Sequence, residues 1–419
     1  MTETLRVGIA GAGLLGRLLA WQLSRAGHRV SVFDPAASEL PVARSHAPDP
    51  YVPTAAGFTA AGMLSPLSEL DNAEPAVAAL GWRSLALWPR VAAALPGAPP
   101  VTVGGSLLVA HRADLGAAQR VLARMQAATS APEWREASPA EGVQALDVAA
   151  LRALEPSIQG PAHAWLLPGE GFIDTVAVMA ALYSGAADVG WNWGQRVLAV
   201  DSGDGGGTLR LADGRMLAFD AVIDVRGAGA GWLPRPFGER GGVRGARVDG
   251  GTVSPHPNPL PEGARSMRVR GVRGEVIWLD CPGHGLTRPV RLLHPRHRVY
   301  IVPRSARDVL VGASEIESED RSPVSLRSAV ELMAAAHSVV PALAEARIVK
   351  MDVNLRPALP DNNPLIEHSA RLLRINGLFR HGWLLAPALI EQAARQVPWL
   401  DVKPADGGVA PSVLAATEA

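Results

Sequence analysis

The chain has 419 residues, of which 48% are hydrophobic, and its 40 basic residues balance 40 acidic ones. This length predicts two or three domains with a sizeable core, and the neutral balance excludes a global charge that would recruit nucleic acid or an anionic membrane. The one cysteine, Cys281, excludes an internal disulfide framework and a cysteine-rich metal site, and we interpret it as a small buried hydrophobe.

The N-terminus has one feature of a signal peptide, since Arg6 precedes an apolar run. A glycine pattern explains the same residues better, and Arg17 interrupts the run. No window approaches roughly 18 consecutive apolar residues without a charge, so we predict no membrane span. We expect a cytoplasmic protein.

The first thirty-odd residues predict a strand, a glycine loop, a helix and a second strand that ends at Asp34. The loop matches the dinucleotide-binding fingerprint. Gly11 permits a tight turn, Gly13 lets the backbone approach a pyrophosphate, and Gly16 lets the helix pack close to the strand. The helix N-terminus can then hold the diphosphate.

Asp34 lies 18 residues beyond Gly16, close to the spacing of about 20 expected for an acid that accepts a hydrogen bond from a ribose hydroxyl. A carboxylate at this position would repel a 2′-phosphate. The fingerprint therefore favours FAD or NAD over NADP, and the residues alone do not choose between the first two.

A Pro/Ala/Ser-rich loop is predicted up to about Pro53, and the small residues of 55–62 follow it. Small residues can bring the backbone close to a flat or bulky ligand, although a plain loop has a similar composition. Periodicity then predicts helices over 76–94 and 113–127, with Pro89 kinking or ending the first.

The remaining predicted elements alternate between strands and helices. Asp174 and Ser325 are expected to cap helices over 175–186 and up to about 338, a short helix covers 151–156, and the last helix begins at Pro387. Strands are predicted over 104–110, 197–200, 208–211, 221–225, 275–279, 298–302, 309–311, 347–352 and 372–376. Residues 253–261 hold four prolines, which predicts an exposed irregular loop within 245–266.

Segments spread along the chain resemble, in this order, the D-amino-acid oxidase superfamily of flavoproteins, and most closely its glycine oxidase branch associated with thiazole synthesis. The matching stretches are the N-terminal fingerprint, AAGML (60–64), GSLLVA (105–110), VRGE (272–275), YIVPR (300–304), GAS (312–314), LRP (355–357), PD (360–361) and GLFRHGWLLAP (377–387).

The resemblance implies FAD rather than NAD and an α/β fold, with a Rossmann-like FAD-binding domain interleaved with an α+β substrate domain on a mixed or antiparallel sheet. We expect the FAD-binding domain to comprise 1–80, 155–235 and 350–400. The substrate domain would comprise 81–154 and 270–349, with the proline-rich loop inserted at 245–266 and a C-terminal tail at 401–419.

The resemblance also implies which residues contact FAD. The adenine side would touch the backbone of Val197, and a backbone turn leading into the Pro387 helix would direct N–H groups at N1 and O2 of the flavin. The expected cofactor-binding residues are Gly11, Gly13, Leu14, Leu15, Gly16, Asp34, Pro35, Ala60, Ala61, Gly62, Met63, Val197, Arg380, His381, Gly382, Trp383 and Leu384.

Four residues are implied on the substrate side. Arg356, expected in a Pro-flanked turn between strands, matches the position that grips the substrate carboxylate, for which a guanidinium can form two parallel bonds. Arg380 matches a second arginine near the substrate and Tyr300 a tyrosine that closes the pocket. Glu315 departs from the family pattern, as does His381, where an amide is usual. A carboxylate at 315 would favour a cationic amine or a basic substrate, or would pair with a nearby arginine.

The implied reaction is oxidation of an amino acid or small amine of the glycine, D-amino-acid or sarcosine type. Arg356 would orient the substrate so that a hydride moves from Cα to flavin N5, with no side chain acting as a strong base. The imine would be released and hydrolysed, and dioxygen would reoxidise the flavin to give hydrogen peroxide.

Three alternatives remain open at this point. One is a dehydrogenase of the same fold that uses a quinone or protein acceptor, and another is a non-enzymatic flavin sensor. A tRNA-modifying amine oxidase is the third, because residues 265–304 hold nine arginines that could contact phosphates, although we favour solvated strand edges. No metal is expected, since His294 and His297 read as part of a basic loop.

Overall fold

The computed structural model describes residues 4–41, 54–71, 73–129, 142–203, 205–231, 269–293 and 298–402. The proline-rich loop at 245–266, the two histidines of the 294–297 loop and all but the first two residues of the predicted tail lie outside these ranges. Among the described residues, no helix has the length and apolar character needed to cross a membrane.

The described elements alternate as an α/β chain. The helices are α1 (Leu14–Arg25), α2 (Ala56–Thr59), α3 (Pro66–Glu69), α4 (Pro75–Ala93), α5 (Leu115–Thr129), α6 (Val148–Leu154), α7 (Thr175–Ser184), α8 (Leu326–Val339) and α9 (Gly382–Gln396). The strands are β1 (Arg6–Ala10), β2 (Arg29–Asp34), β3 (Met63–Leu64), β4 (Val101–Val103), β5 (Ser106–Ala110), β6 (Gln144–Leu146), β7 (His163–Leu167), β8 (Gly171–Ile173), β9 (Gly190–Trp193), β10 (Val197–Gly203), β11 (Gly206–Leu211), β12 (Met216–Phe219), β13 (Ala221–Asp224), β14 (Arg270–Asp280), β15 (Val290–Leu293), β16 (Arg298–Pro303), β17 (Asp308–Gly312), β18 (Arg347–Ala358), β19 (Leu365–Ser369) and β20 (Leu372–Asn376).

A six-stranded sheet carries the N-terminal unit, in the order β19-β20-β13-β1-β2-β9. Its pairs are parallel except at the β19 edge. The leucines of α1 and the strands β1, β2 and β13 share one hydrophobic core with α4 and α9. The glycine loop and Asp34 therefore lie together at the carboxyl ends of β1 and β2, where parallel sheets bind ligands.

An eight-stranded mixed sheet, ordered β18-β14-β17-β16-β15-β5-β7-β6, forms the second layer. One face packs against α8, where Ile277, Val299 and Val309 meet Leu332 and Val339. Because side chains alternate along a strand, the residues between these positions point to the opposite face. The predicted fold class is confirmed, whereas the predicted boundary at residue 350 falls inside β18 and the domain limits stay a prediction.

Asp174 and Ser325 cap α7 and α8 as predicted. Asp174 accepts hydrogen bonds from the amides of Val176 and Ala177, both at 3.0 Å, and Ser325 accepts one from Ser328 at 3.1 Å. Each cap satisfies backbone donors that have no partner within the helix.

The start of the last helix was predicted wrongly because of its proline. It begins at Gly382 rather than at Pro387, which lies inside α9. Proline removes the hydrogen bond to the carbonyl four residues earlier, that of Trp383. Here the indole of Trp88 donates to this carbonyl at 2.7 Å, so the helix continues without an orphaned acceptor. In α4, where Pro89 was expected to kink or end the helix, the helix does not end there but continues to Ala93.

Arg356 does not lie in a turn, contrary to our expectation. The predicted strand over 347–352 continues to Ala358, so Arg356 is part of β18 and pairs with Val272 of β14. Among the described strands β18 is an edge of its sheet, where the missing amide of Pro357 is tolerated. Because β18 lies at the edge of the sheet, the strand can continue through Pro357.

Candidate functional site

A large cavity of ≈ 1140 Å³ is lined by loops of the six-stranded sheet and by one face of the eight-stranded sheet. Sites for drug-sized ligands usually have about 300–1,000 Å³, so this cavity can hold an extended ligand together with a smaller one. Of the predicted site residues, all except Gly16 and His381 line it.

The three fingerprint glycines differ in what they make room for. A Cβ on Gly11, whose φ is +105°, would lie 2.7 Å from the carbonyl oxygen of Val225, and one on Gly16 would lie 1.8 Å from that of Gly11. A Cβ on Gly13 would meet only the Cβ of Ala55, at 3.9 Å. Gly11 and Gly16 thus serve the protein's own packing, while Gly13 keeps the cavity open at the start of α1, as a diphosphate would require.

Substituting Gly13 and Gly16 is expected to separate ligand binding from folding. Gly13→Val should weaken FAD binding by at least roughly tenfold and leave the apoprotein's thermal midpoint nearly unchanged, because φ −71° suits any residue and the side chain enters the cavity. Gly16→Ala should instead cost about 1–3 kcal/mol of unfolding free energy. FAD titration and thermal unfolding of both apoproteins measure these effects, and equal destabilisation by both changes would contradict them.

Asp34 fixes the glycine loop. Its carboxylate accepts from the amides of Ala12 at 2.7 Å and Ala36 at 2.8 Å, and burial raises its pKa despite these bonds. Asp34 lines the cavity beside Pro35, and each of its oxygens can accept a second hydrogen bond. The predicted bond to a ribose hydroxyl stays a prediction, and this geometry allows it.

The sequence reasoning missed the role of Arg17. Its buried guanidinium donates to the carbonyls of Ala12 at 2.9 Å and Met179 at 2.8 Å, and it packs against the ring of Phe58. Burial lowers its pKa to about 10, so it remains charged at neutral pH. The sign of this role in the sequence was a basic residue, Arg17, among the buried positions of α1. Such a residue indicates a side chain that holds the glycine loop in place.

The loop of residues 60–63 reaches the cavity between α2 and β3. Gly62 has φ +70° and leaves no room for a Cβ, which would lie 2.3 Å from a backbone oxygen. The carbonyl of Ala60 accepts from the hydroxyl of Thr175 at 3.2 Å and from Arg304 at 3.3 Å. Arg304 lies at the end of β16, so the loop is tied to the eight-stranded sheet.

At the adenine end predicted for Val197, the carbonyl of this residue accepts from Arg226 at 3.0 Å. The Arg226 guanidinium is paired with Asp224 at 2.7 Å and itself lines the cavity. Sequence reasoning gave Arg226 no role. The predicted contact through Val197 stays a prediction.

The amino end of α9 faces the cavity through Gly382, Trp383 and Leu384. The first amides of a helix have no partner within it and carry the positive end of its dipole. This end therefore suits an electron-rich edge of a ligand. The contact of these N–H groups with the flavin stays a prediction. The earlier start of the helix does not affect it, because these residues themselves form the first turn.

One face of the eight-stranded sheet brings the substrate-side residues together. Arg291 pairs with Tyr300 across β15 and β16, and Tyr300 pairs with Gly312 of β17. Paired residues share a face, as do residues two apart on one strand, so Arg298 points the same way. Arg356 faces the same cavity from β18.

Arg356 donates to the carbonyls of Arg273 at 3.3 Å and Ser314 at 3.0 Å. It also hydrogen-bonds to Tyr300, whose pKa is raised by burial. Within the described ranges it forms no ion pair with a carboxylate. A guanidinium that faces a cavity with only neutral acceptors can take a ligand carboxylate.

Two glycines, to which sequence reasoning gave no role, make room for these side chains. A Cβ on Gly274 would lie 2.6 Å from the guanidinium of Arg356, and one on Gly312 would lie 2.7 Å from the ring of Tyr300. Both glycines belong to motifs that match the family. Their role in making room for side chains follows only from the register of the strands.

Gly274→Ala is expected to displace the Arg356 guanidinium without unfolding the protein, because the contact is with the end of a flexible side chain. Misplacing a positioning group by about 1 Å can cost up to 10²-fold, so we expect KM for the amino acid to rise roughly 10–100-fold. Steady-state kinetics tests this, with Gly104→Ala, which meets no atom within 4 Å, as a control. Unchanged KM would contradict it.

Glu69, which sequence reasoning missed, holds the Arg380 region in place. Its buried carboxylate lies 3.0 Å from Arg380, 3.1 Å from Nδ1 of His381 and 3.4 Å from Arg291. Although burial alone would raise it, Arg380, together with His381 and Arg291, holds the pKa of Glu69 well below its usual range. Arg380 is therefore committed to a protein carboxylate, and the side chain of His381 lies behind the cavity wall.

Glu315 is half-exposed and lies 3.7 Å from Arg380. This contact favours pairing with an arginine over binding a cationic substrate. The two carboxylates raise the pKa of Arg380 even though burial alone would lower it.

Three of the described arginines of 265–304 are held by carboxylates, while Arg291 and Arg298 line the cavity. Arg270, Arg273 and Arg288 pair with Glu317, Glu275 and Glu155. Of these three, Arg273 is buried. For Arg273 the interpretation as a solvated edge is wrong, because this side chain is buried and paired.

Cys281 is buried and its thiol donates to the carbonyl of Ala342 at 3.6 Å, while burial raises its pKa. It is a buried hydrophobe, as interpreted. Within the described part of the chain, no three histidine, cysteine or acidic side chains gather as a metal site would need.

Comparisons with known proteins agree with this geometry. A family model described as FAD dependent oxidoreductase matches residues 6–396. A Rhizobium etli protein named thiamine biosynthesis oxidoreductase ThiO is 34% identical over 94% of this chain and 96% of its own. Glycine oxidase of Geobacillus kaustophilus is 27% identical over 92% of this chain and 91% of its own. The crystal structure of glycine oxidase from Geobacillus kaustophilus aligns with a TM-score of 0.70 at 24% identity, covering 94% and 96% of the two chains.

Proposed function

Since the chain belongs to the FAD-dependent oxidoreductase family, we propose that it oxidises glycine or another small amino acid and delivers the electrons to dioxygen. The family, the FAD cofactor and an enzymatic activity, each predicted from the resemblance, are confirmed by the match. The amino-acid substrate and the acceptor belong to the proposal.

The proposal is supported most by one observation, the cavity-facing guanidinium of Arg356. It is held by two backbone carbonyls and by Tyr300, and within the described ranges no carboxylate neutralises it. An α-carboxylate could accept two charge-assisted bonds there, which would fix the substrate's orientation.

The residues of the cavity fit FAD. Gly13 leaves space for the diphosphate, Asp34 can accept from the ribose, and the amides at the start of α9 can stabilise negative charge on the ring. When bound, FAD supplies the oxidising chemistry by accepting a hydride equivalent from the amine.

The chain's own residues contribute positioning. Arg356 would orient the carboxylate, Tyr300 would cover the substrate, and Glu69 would hold Arg380 against the cavity wall. No side chain is assigned as a base, because an amine can lose its proton to solvent before oxidation. The relative named glycine oxidase makes glycine the first candidate substrate.

An anaerobic spectral screen tests the proposal. The FAD-loaded protein is mixed with glycine, sarcosine, D-alanine and L-alanine, and bleaching of the flavin absorbance is recorded. We expect bleaching by at least one of the first three, and peroxide on admitting air. Bleaching without peroxide, but with reduction of a quinone-like dye, would replace dioxygen by another acceptor. No bleaching by any amine would contradict the proposed reaction.

A further inference from the structure

Beyond Tyr300 the described lining of the cavity holds more arginines than carboxylates to neutralise them. Glu69 is shared by Arg380 and Arg291, at 3.0 and 3.4 Å. Asp71 is shared by Arg298, at 3.0 Å, and Arg124. Glu315 adds a third, half-exposed carboxylate 3.7 Å from Arg380, so four described guanidinium groups share three carboxylates at this end of the cavity.

Arg291 also has an unused donor. Its Nε is buried and has no hydrogen-bond partner within the described structure. A buried donor without a hydrogen bond costs free energy, so this Nε favours a ligand that offers an acceptor.

The carboxylates near Arg298, Glu315 among them, offset only part of the effect of burial and of Arg380. Burial lowers the pKa of Arg298, and repulsion from Arg380 lowers it further, against the opposing effect of Asp71, Glu315 and Glu69. Two arginines that repel each other in a cavity are stabilised together by an added anion.

The strand geometry sets the distance of these arginines from Arg356. Arg291 pairs with Tyr300 on the neighbouring strand, about 4.8 Å away between strands, and Arg298 lies two residues along β16, roughly 6.6 Å from Tyr300. Tyr300 in turn hydrogen-bonds to Arg356. Tyr300 lies near both Arg356 and Arg291, so a ligand held at Arg356 can extend past Tyr300 toward Arg291 and Arg298 within the same cavity.

We propose that Arg291 and Arg298 form a second anion subsite, and that the preferred substrate is an amino acid carrying a second carboxylate. The inference rests on the proposed function, because it assigns the α-carboxylate to Arg356. It adds a substrate class, since glycine and alanine would leave this subsite without a ligand group.

The test uses the FAD-loaded protein and acids that cannot be oxidised as amines. Succinate is compared with butyrate, and malonate with propionate, by the perturbation each causes in the flavin spectrum. A charge-assisted bond should make the better dicarboxylate bind at least about tenfold tighter than its monocarboxylate partner. Equal affinity within both pairs would overturn the subsite.

Substitutions then locate the second carboxylate. Arg298→Gln, a partly exposed position, should abolish most of the dicarboxylate gain and leave butyrate binding unchanged, as should Arg291→Gln, while Arg291→Lys should keep part of it. Arg307→Gln removes an exposed arginine paired with Asp280 and should change nothing. A gain that survives in Arg298→Gln and Arg291→Gln would overturn the assignment.

Kinetics separates this inference from the proposed function. The ratio of kcat/KM for D-aspartate or D-glutamate to that for D-alanine should exceed one and fall about tenfold or more in Arg298→Gln. Bleaching by glycine without any preference for dicarboxylates would overturn the subsite and keep the function. Tight succinate binding that depends on these arginines, with no amine oxidised, would keep the subsite and overturn the function.

Discussion

Arg356→Ala is expected to raise KM for the amino acid by roughly 10²–10³-fold, because truncating one partner of a buried charge pair costs about 2–5 kcal/mol. FAD binding should remain intact, since the guanidinium contacts only Tyr300 and the carbonyls of Arg273 and Ser314 among the described residues. Steady-state kinetics and FAD titration of the same preparation measure both quantities.

Arg347→Ala is the matched control for this change. Arg347 lies on the same strand, β18, but is exposed and outside the cavity. Its replacement should leave KM unchanged. Arg356→Lys should fall between wild type and alanine, because lysine keeps the charge and loses the bidentate geometry. If Arg356→Ala had wild-type KM, Arg356 would not bind substrate.

Glu69→Ala should be the most destabilising of the changes considered, by about 3–5 kcal/mol, because it leaves buried cations without their partner. Arg380 and Arg291 would lose the carboxylate they share, His381 would lose its neighbour at 3.1 Å, and the start of α9 would be displaced. We therefore expect weaker FAD binding as well. Chemical denaturation of the apoprotein and FAD titration check the two effects.

Glu317→Ala serves as the control, since its bridge to Arg270 is exposed and such pairs contribute about 0–1 kcal/mol. Equal losses in Glu69→Ala and Glu317→Ala would refute the proposed role of Glu69. The two carboxylates differ both in burial and in the number of cationic partners, since Glu69 is shared by Arg380 and Arg291 and Glu317 pairs with Arg270.

The contribution of Glu69 should depend on pH in a defined direction. Its folded-state pKa is depressed, so its stabilising effect is complete above the unfolded pKa of about 4.3 and is lost as pH falls through the folded value. The stability difference between wild type and Glu69→Gln should therefore be largest near neutral pH and shrink in acid. A difference that grew on acidification would contradict this.

Local patterns predicted the part of the site that is built from consecutive residues. The loop from Gly11 to Gly16 and the acid at Asp34 follow from spacing alone, and the structure joins them through the amide of Ala12. The start of α9 was placed too late, because the partner that satisfies Trp383 is Trp88, 295 residues away.

The residues that were missed depend on contacts distant in sequence. Glu69 pairs with Arg380, which lies 311 residues later in the sequence, and no pattern near either residue predicts the pair. Gly274 matters only because β14 and β18 pair in a register that brings Arg356 over it. Arg356 itself was identified by resemblance, but its setting within a strand required the sheet.

The most direct measurement is a crystal structure of the FAD-loaded protein with acetate. We predict that the diphosphate lies against Gly13, that the ring lies between the loop of 60–63 and the start of α9, and that acetate accepts bonds of about 2.7–3.2 Å from Arg356. A structure in which Arg356 lies remote from the ring, with acetate bound elsewhere or not at all, would contradict the account.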